Sequence, residues 1–139
     1  MLLLILGLVV LAGLFVTVVI DVSALFLDRR DLIAAADGAA LAGAQGIDES
    51  SVYRHGLPES GSLILNRSRA ELLVQSYLVD QGIIGTYDDL EVDVEVTNTT
   101  VTVQLVAKVR LPIANVVTPG AGHGVTVDAQ ATARSAVIP

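Results

Sequence analysis

The sequence predicts an α+β fold, in which a long N-terminal helix packs on a small antiparallel sheet of about three strands, with a second short helix beside it. Three observations carry that expectation. Met1 to Ile20 contains neither charge nor proline, and the chain turns polar abruptly at Asp21. Leu72, Leu73, Tyr77 and Leu78 then recur at helical spacing. From Leu90 onward the apolar period drops to two, which is the period of a half-buried strand.

The first helix is expected to run well past its apolar part. Residues 21–45 contain no proline and are rich in alanine, and Gly46 is placed to act as the C′ terminator. A helix over residues 2–45 would be roughly 65 Å long. Its first twenty residues match a hydrocarbon core of roughly 30 Å, so residues 1–20 read as a transmembrane half and residues 21–45 as a projecting half. The competing reading of residues 1–20 is a cleaved secretory signal, with Val22-Ser23-Ala24 as a loose cleavage site. The run is long for such a signal and no basic segment precedes it, although removal of a leader would also leave no basic start.

The projecting half carries two rows of small residues at four-residue spacing, Ala35, Ala39 and Gly43 in one and Ala36, Ala40 and Ala44 in the other. Such rows let a second backbone approach closely. They serve either docking onto the protein's own sheet or helix–helix contact in an oligomer, and the two uses can coexist on opposite faces.

Residues 47–67 are polar and contain His55, Gly56, Pro58 and Gly61, so they read as a loop. Ser68 and Glu71 have capping-box spacing, which places a second helix at about 68–81, ended by Gly82. Leu90, Val92, Val94 and Val96 alternate with Glu91, Asp93, Glu95 and Thr97 to give a first strand. Val101, Val103, Leu105 and Ala107 give a second. A two-residue turn at Asn98-Thr99 pairs Val96 with Val101, Val94 with Val103 and Val92 with Leu105. A slip of one residue would turn the acids into the core. After a Pro/Gly-rich connection at 112–124, Val125, Val127, Ala129, Ala131 and Ala133 form a third strand. Its small inner face suits close approach by the Ala/Gly rows of the first helix. Residues 46–139 thus form one small domain.

The chemistry is sparse. The chain has 139 residues, a net charge of −7 and no cysteine. Disulfides and thiolate metal sites are excluded, and an acidic exterior disfavours nucleic acid. His55 and His123 sit beside glycines without metal-ligand spacing, and no nucleotide or hydrolase motif occurs. No catalytic, cofactor-binding or metal residue is assigned, no small-molecule substrate is implied, and the chain reads as a non-enzyme. Glu91, Asp93 and Glu95 share one strand face. That face is either a solvated surface that discourages edge pairing or a docking face for a partner protein or a cation. Asn66-Arg67-Ser68 and Asn98-Thr99-Thr100 are formal glycosylation sequons. Asp21, Asp28, Arg29, Arg30 and Asp31 cluster where the helix leaves its apolar part. They form a collar that fixes helix depth, or pair between subunits. Charge alone leaves orientation open, because Arg29 and Arg30 follow the span and no basic residue precedes it.

Two stretches of this helix, Val19-Ile-Asp21-Val-Ser23-Ala-Leu25-Phe-Leu27-Asp-Arg29-Arg30-Asp-Leu32 and Ala34-Ala-Ala36-Asp-Gly38-Ala-Ala40-Leu-Ala-Gly-Ala44, resemble the TadE/TadG-like family of Tad (Flp) pilus systems. The Val125–Ala133 strand is also similar to that family. The resemblance implies a long N-terminal helix, a small α/β domain outside the cell, and a single-pass cell-membrane protein that takes part in pilus assembly as a minor pilin or membrane component. Its partners would be the membrane and other pilin-like subunits or a second copy of itself. Asp21, Arg29, Arg30, Ala35, Ala39, Ala40 and Gly43 would carry the packing. Two departures accompany it. Pilins of the type IV class carry Glu at the fifth mature position, whereas residue 5 here is Ile and no acid precedes Asp21. Either residue 1 is not the mature N-terminus or the chain does not polymerise in that manner. The chain is also too short for the von Willebrand-type domain of larger family members.

Overall fold

A computed structural model of the protein describes residues 1–46, 65–113 and 124–135. His55, His123, most of the loop expected at 47–67 and most of the 112–124 connection lie outside the described residues. Helix α1 spans Leu2–Gly43 and helix α2 spans Arg67–Asp80. Strands β1 (Asp88–Val96), β2 (Thr100–Val109) and β3 (Val125–Arg134) form one sheet in the order β1-β2-β3, each pair antiparallel. The α+β fold is as the sequence predicts.

The hairpin register is also as expected: Val92 opposes Leu105, Val94 opposes Val103 and Val96 opposes Val101. Alternation excludes any one-residue slip, which would turn Glu91, Asp93 and Glu95 into the core, and the two-residue connection at Asn98-Thr99 then sets the pairing. Among the described residues Asp89 is the one non-glycine with positive φ, so Asn98-Thr99 is not a primed hairpin turn. The turn is held instead by Thr97, whose hydroxyl accepts from Thr100 N at 3.1 Å, and by Thr99 O, which accepts from Ser135 N at 2.8 Å. At the other end of β1 the register shifts between Asp88 and Glu91. Asp89 occupies this bulge with φ 51° and reaches Lys108 Nζ at 2.8 Å.

The end of α1 and the start of α2 differ from the sequence-based expectation. Gly46 does not act as a left-handed C′ residue. The cap is Ala44, in right-handed conformation, and Gly46 is absent from the positive-φ glycines. Its role is close approach: a Cβ there would lie 2.8 Å from Ala70 N and 2.9 Å from Ala70 Cα. At the start of α2, Asn66 takes the cap in place of the Ser68/Glu71 box, its side chain accepting from Arg69 N at 3.1 Å. Glu71 turns instead to Arg67, one helical turn earlier, at 3.1 Å. Gly82 does end α2. With φ 68° it donates to Val79 O, and Ile83 N donates to Leu78 O, the paired bonds of a Schellman motif.

The core lies between one face of the sheet and the two helices. Leu32, Ala36, Ala39 and Ala40 of α1, Ala70, Val74 and Leu78 of α2, and Val101, Val103, Leu105 and Ala107 of β2 are essentially solvent-free. The C-terminal half of α1 lies across β2 and β3, with α2 alongside it. Ala129 and Ala131 on β3 are small and buried, which lets α1 sit close to the sheet. Edge strand β1 is covered less well, and Leu90, Val92, Val94 and Val96 are only half-buried. The other face of the sheet is polar and carries Glu91, Asp93, Glu95, Gln104, Asp128 and Gln130.

Candidate functional site

Helix α1 is two physically different segments joined without a break. From Met1 to Ile20 every residue is exposed apart from Thr17, which is half-buried. This part is long and apolar enough to cross a membrane, and no residue of its most apolar stretch is buried among the described residues. The hydroxyl of Thr17 is satisfied inside the helix, donating to Gly13 O at 2.8 Å, and Ser23 likewise donates to Val19 O at 2.7 Å. A lipid-facing helix requires such internal pairing, because hydrocarbon offers no hydrogen-bond partner.

Beyond Leu25 the same helix becomes part of the domain core. Ala35, Ala39, Ala40 and Gly43, named above as packing residues, are all buried against the protein's own α2 and sheet. A Cβ on Gly43 would lie 2.9 Å from Val74 Cγ2 and 3.0 Å from Val101 Cγ1. Within one chain, then, both small-residue rows serve intramolecular docking. The opposite face of this segment leaves Phe26, Leu27, Ile33 and Leu41 exposed.

Where the two segments meet, the collar residues divide into two groups. Arg29 and Arg30 are exposed. Asp21 is half-buried, and its Oδ1 accepts from Ile113 N, just past β2, at 2.9 Å. The Tyr87 hydroxyl points at Asp28 O, 3.5 Å away, from the segment between α2 and β1. Burial, with Asp28 and Asp31 adding, pushes the Tyr87 phenol above its ordinary value. The sequence offers no local signal for these two ties, since each joins residues far apart in the chain. A cavity of about 350 Å³ beside them is lined by Asp28, Thr86, Tyr87, Lys108, Val109 and Arg110.

Burial raises the Asp28 carboxyl above the ordinary 3.8, and the like charge of Asp31, three residues on, raises it further. In the window just above 3.8 the folded state therefore holds a proton that the unfolded chain has released. Stability contributed by this group grows as pH falls through that window and is lost as pH rises. Asp89 has the opposite sign: its hydrogen bond and charge pairing with Lys108 lower its carboxyl, so its contribution is lost on acidification. That pair is exposed and counts for little. Asp28→Asn is expected to raise the urea midpoint of the full chain in micelles at neutral pH, read by tyrosine fluorescence. The gain should fade as pH drops through 3.8 and vanish well below it, where the parent carboxyl is protonated in both states.

Among the described residues no three of His, Cys, Asp and Glu come together in a way that would hold a metal ion. Glu91, Asp93 and Glu95 are exposed on the outer sheet face. On the inner side, a cleft of about 360 Å³ between α2 and β1 is lined by Glu71, Gln75, Leu78, Val79, Ile84, Val92 and Val94. The chemically distinctive feature of the described structure is thus the helix itself, bare at one end and fused to a domain at the other.

Residues 1–46 match the family model described as putative Flp pilus-assembly TadE/G-like. The TadE/G-like segment coincides with α1 and the turn that carries it to Gly46. It therefore takes in both the bare apolar part and the small-residue rows, while α2 and the sheet lie beyond it. The match bears out the resemblance carried by the Val19–Leu32 and Ala34–Ala44 stretches and supports involvement in Flp pilus assembly. No curated protein and no solved structure matches the chain.

Proposed function

We propose that this protein is a membrane-anchored structural or assembly component of a Tad-type pilus, minor-pilin or pseudopilin-like, which acts by helix packing and not by catalysis. The observation that carries this reading is the division of α1. The TadE/G-like segment spends its C-terminal half on its own domain and leaves about twenty apolar residues exposed among the described residues. Exposed apolar area of that extent is stable only in lipid or among other apolar helices. The domain is rigidly joined to the helix through Leu32, Ala36, Ala39 and Ala40, so whatever holds the helix also positions the domain. In this reading the domain lies outside the cell, and the bare half of α1 lies in the membrane or packs among the helices of pilin-like subunits.

The test uses the host that carries the chain. Deleting its gene is expected to reduce or abolish surface pili that can be sheared off and seen by electron microscopy, with recovery on complementation. Because the chain has no cysteine, single cysteines placed along residues 2–20 can report neighbours. Crosslinks at Leu8 or Val16 to another pilin-like subunit or to a second copy support helix packing. Normal piliation in the deletion strain would overturn the proposal.

A further inference from the structure

We propose that residues 111–113, where the chain leaves β2, form a second contact with the membrane and lie in the phospholipid headgroup layer beside the exit of α1. This rests on the reading of residues 1–20 as a membrane span. Twenty helical residues cover the roughly 30 Å hydrocarbon thickness, so Asp21 stands at its boundary. The headgroup layer adds roughly 5–7 Å on each side, a distance α1 covers in about four residues. The hydrogen bond from Ile113 N to Asp21 Oδ1, at 2.9 Å, fixes Ile113 at the height of Asp21 and thus inside that layer. The next tie between this end of the domain and α1, from Tyr87 to Asp28 O, lies seven residues further along the helix. That is about 10 Å higher and above the headgroups.

The residues at this level suit such a place. Leu111 and Ile113 are half-buried and Pro112 is exposed, so an uncharged, partly open tripeptide faces the layer. On α1, Val22 keeps 60% of its surface exposed, which continues the apolar band just past Asp21. The boundary between acyl chains and headgroups accepts such uncharged surface, which water does not favour. Arg29 and Arg30 are exposed and can extend their charged ends back toward the phosphates while their stems cover apolar surface. Asp28 and Asp31 balance these two cations, so the contact does not depend on anionic lipid. Seated at two points, the domain cannot swing about the helix exit.

The absence of native cysteine makes depth measurement direct. Full chains carrying Ile113→Cys, Leu111→Cys, Val10→Cys or Thr99→Cys are labelled with an environment-sensitive fluorophore. They are then reconstituted in phosphatidylcholine vesicles doped with headgroup or mid-acyl spin-labelled lipid. Headgroup spin label is expected to quench the probes at 111 and 113 to less than half their intensity, and to leave the probe at 99, at the far end of β2, unchanged. Mid-acyl label quenches the probe at 10. If position 10 is quenched and positions 111 and 113 are not, the second contact is overturned while the span stands. A blue-shifted but unquenched probe at 113 also overturns it, by showing burial against protein. An unquenched probe at 10 removes the span and the inference together.

Discussion

Leu105→Ala is expected to cost about 3–4 kcal/mol, the middle of the range for deleting a fully buried leucine side chain. Leu105 sits at the centre of β2, with Val92 of β1 on one side and Ala129 of β3 on the other, and none of it is exposed. Its neighbours are poorly placed to refill the space. Ala129 and the alanines of α1 are too short, and their backbones are held by the sheet and by the helix. A small domain has a total stability of about 5–15 kcal/mol, so this loss would remove a large share of it. Urea-dependent proteolysis of the full chain in micelles should show a large drop in midpoint, with residues 1–20 protected throughout. An unchanged midpoint would mean that β2 is not the centre of the core.

The second large effect is expected at the junction of α1 and α2. A Cβ at Gly46 meets backbone atoms of Ala70, and one at Gly43 meets the methyl groups of Val74 and Val101. Both valines are fully buried and stiff about χ1, and the Ala70 backbone is part of the first turns of α2. Gly43→Ala in a helix would by propensity gain about 1 kcal/mol, but overpacking of this kind costs about 1–3 kcal/mol, so the clash wins. Gly46→Ala gains no helix propensity and strains backbone directly, and is expected at the upper end of that range. Gly13→Ala is the control, because nothing lies within 4 Å of its Cβ position. Hydrogen exchange should accelerate throughout α2 in Gly46→Ala and Gly43→Ala, and be unaltered in Gly13→Ala. Unaltered exchange in Gly46→Ala would show that α2 docks on α1 more loosely than described here.

Much of this architecture is legible because local patterns leave few alternatives. The apolar run ending at Asp21 and the alanine tract after it define one continuous helix. The alternation from Leu90 to Leu105, with a two-residue connection between the strands, points to one register, and the structure has that register. The errors are at ends, where several residues can do the same work. Asn66 and Ser68 were both chemically able to cap α2, and Gly46 looked like a terminator because glycine commonly ends helices. Each choice was made by what else was near: Ala70 beside Gly46, and Arg67 within reach of Glu71.

By itself the sequence determined the elements, their register and the division of α1 into an apolar and a small-residue half, since these depend on period and composition along one stretch of chain. Tertiary structure alone decided how that helix is used. The rows at Ala35, Ala39 and Gly43 and at Ala36, Ala40 and Ala44 are equally fit for a neighbouring subunit or for the protein's own sheet, and the fold buries them at home. The ties from Asp21 to Ile113 and from Tyr87 to Asp28 are likewise invisible in the linear pattern. A hydrogen bond between residues about ninety positions apart has no local signature, because only packing of the intervening chain brings donor and acceptor within reach.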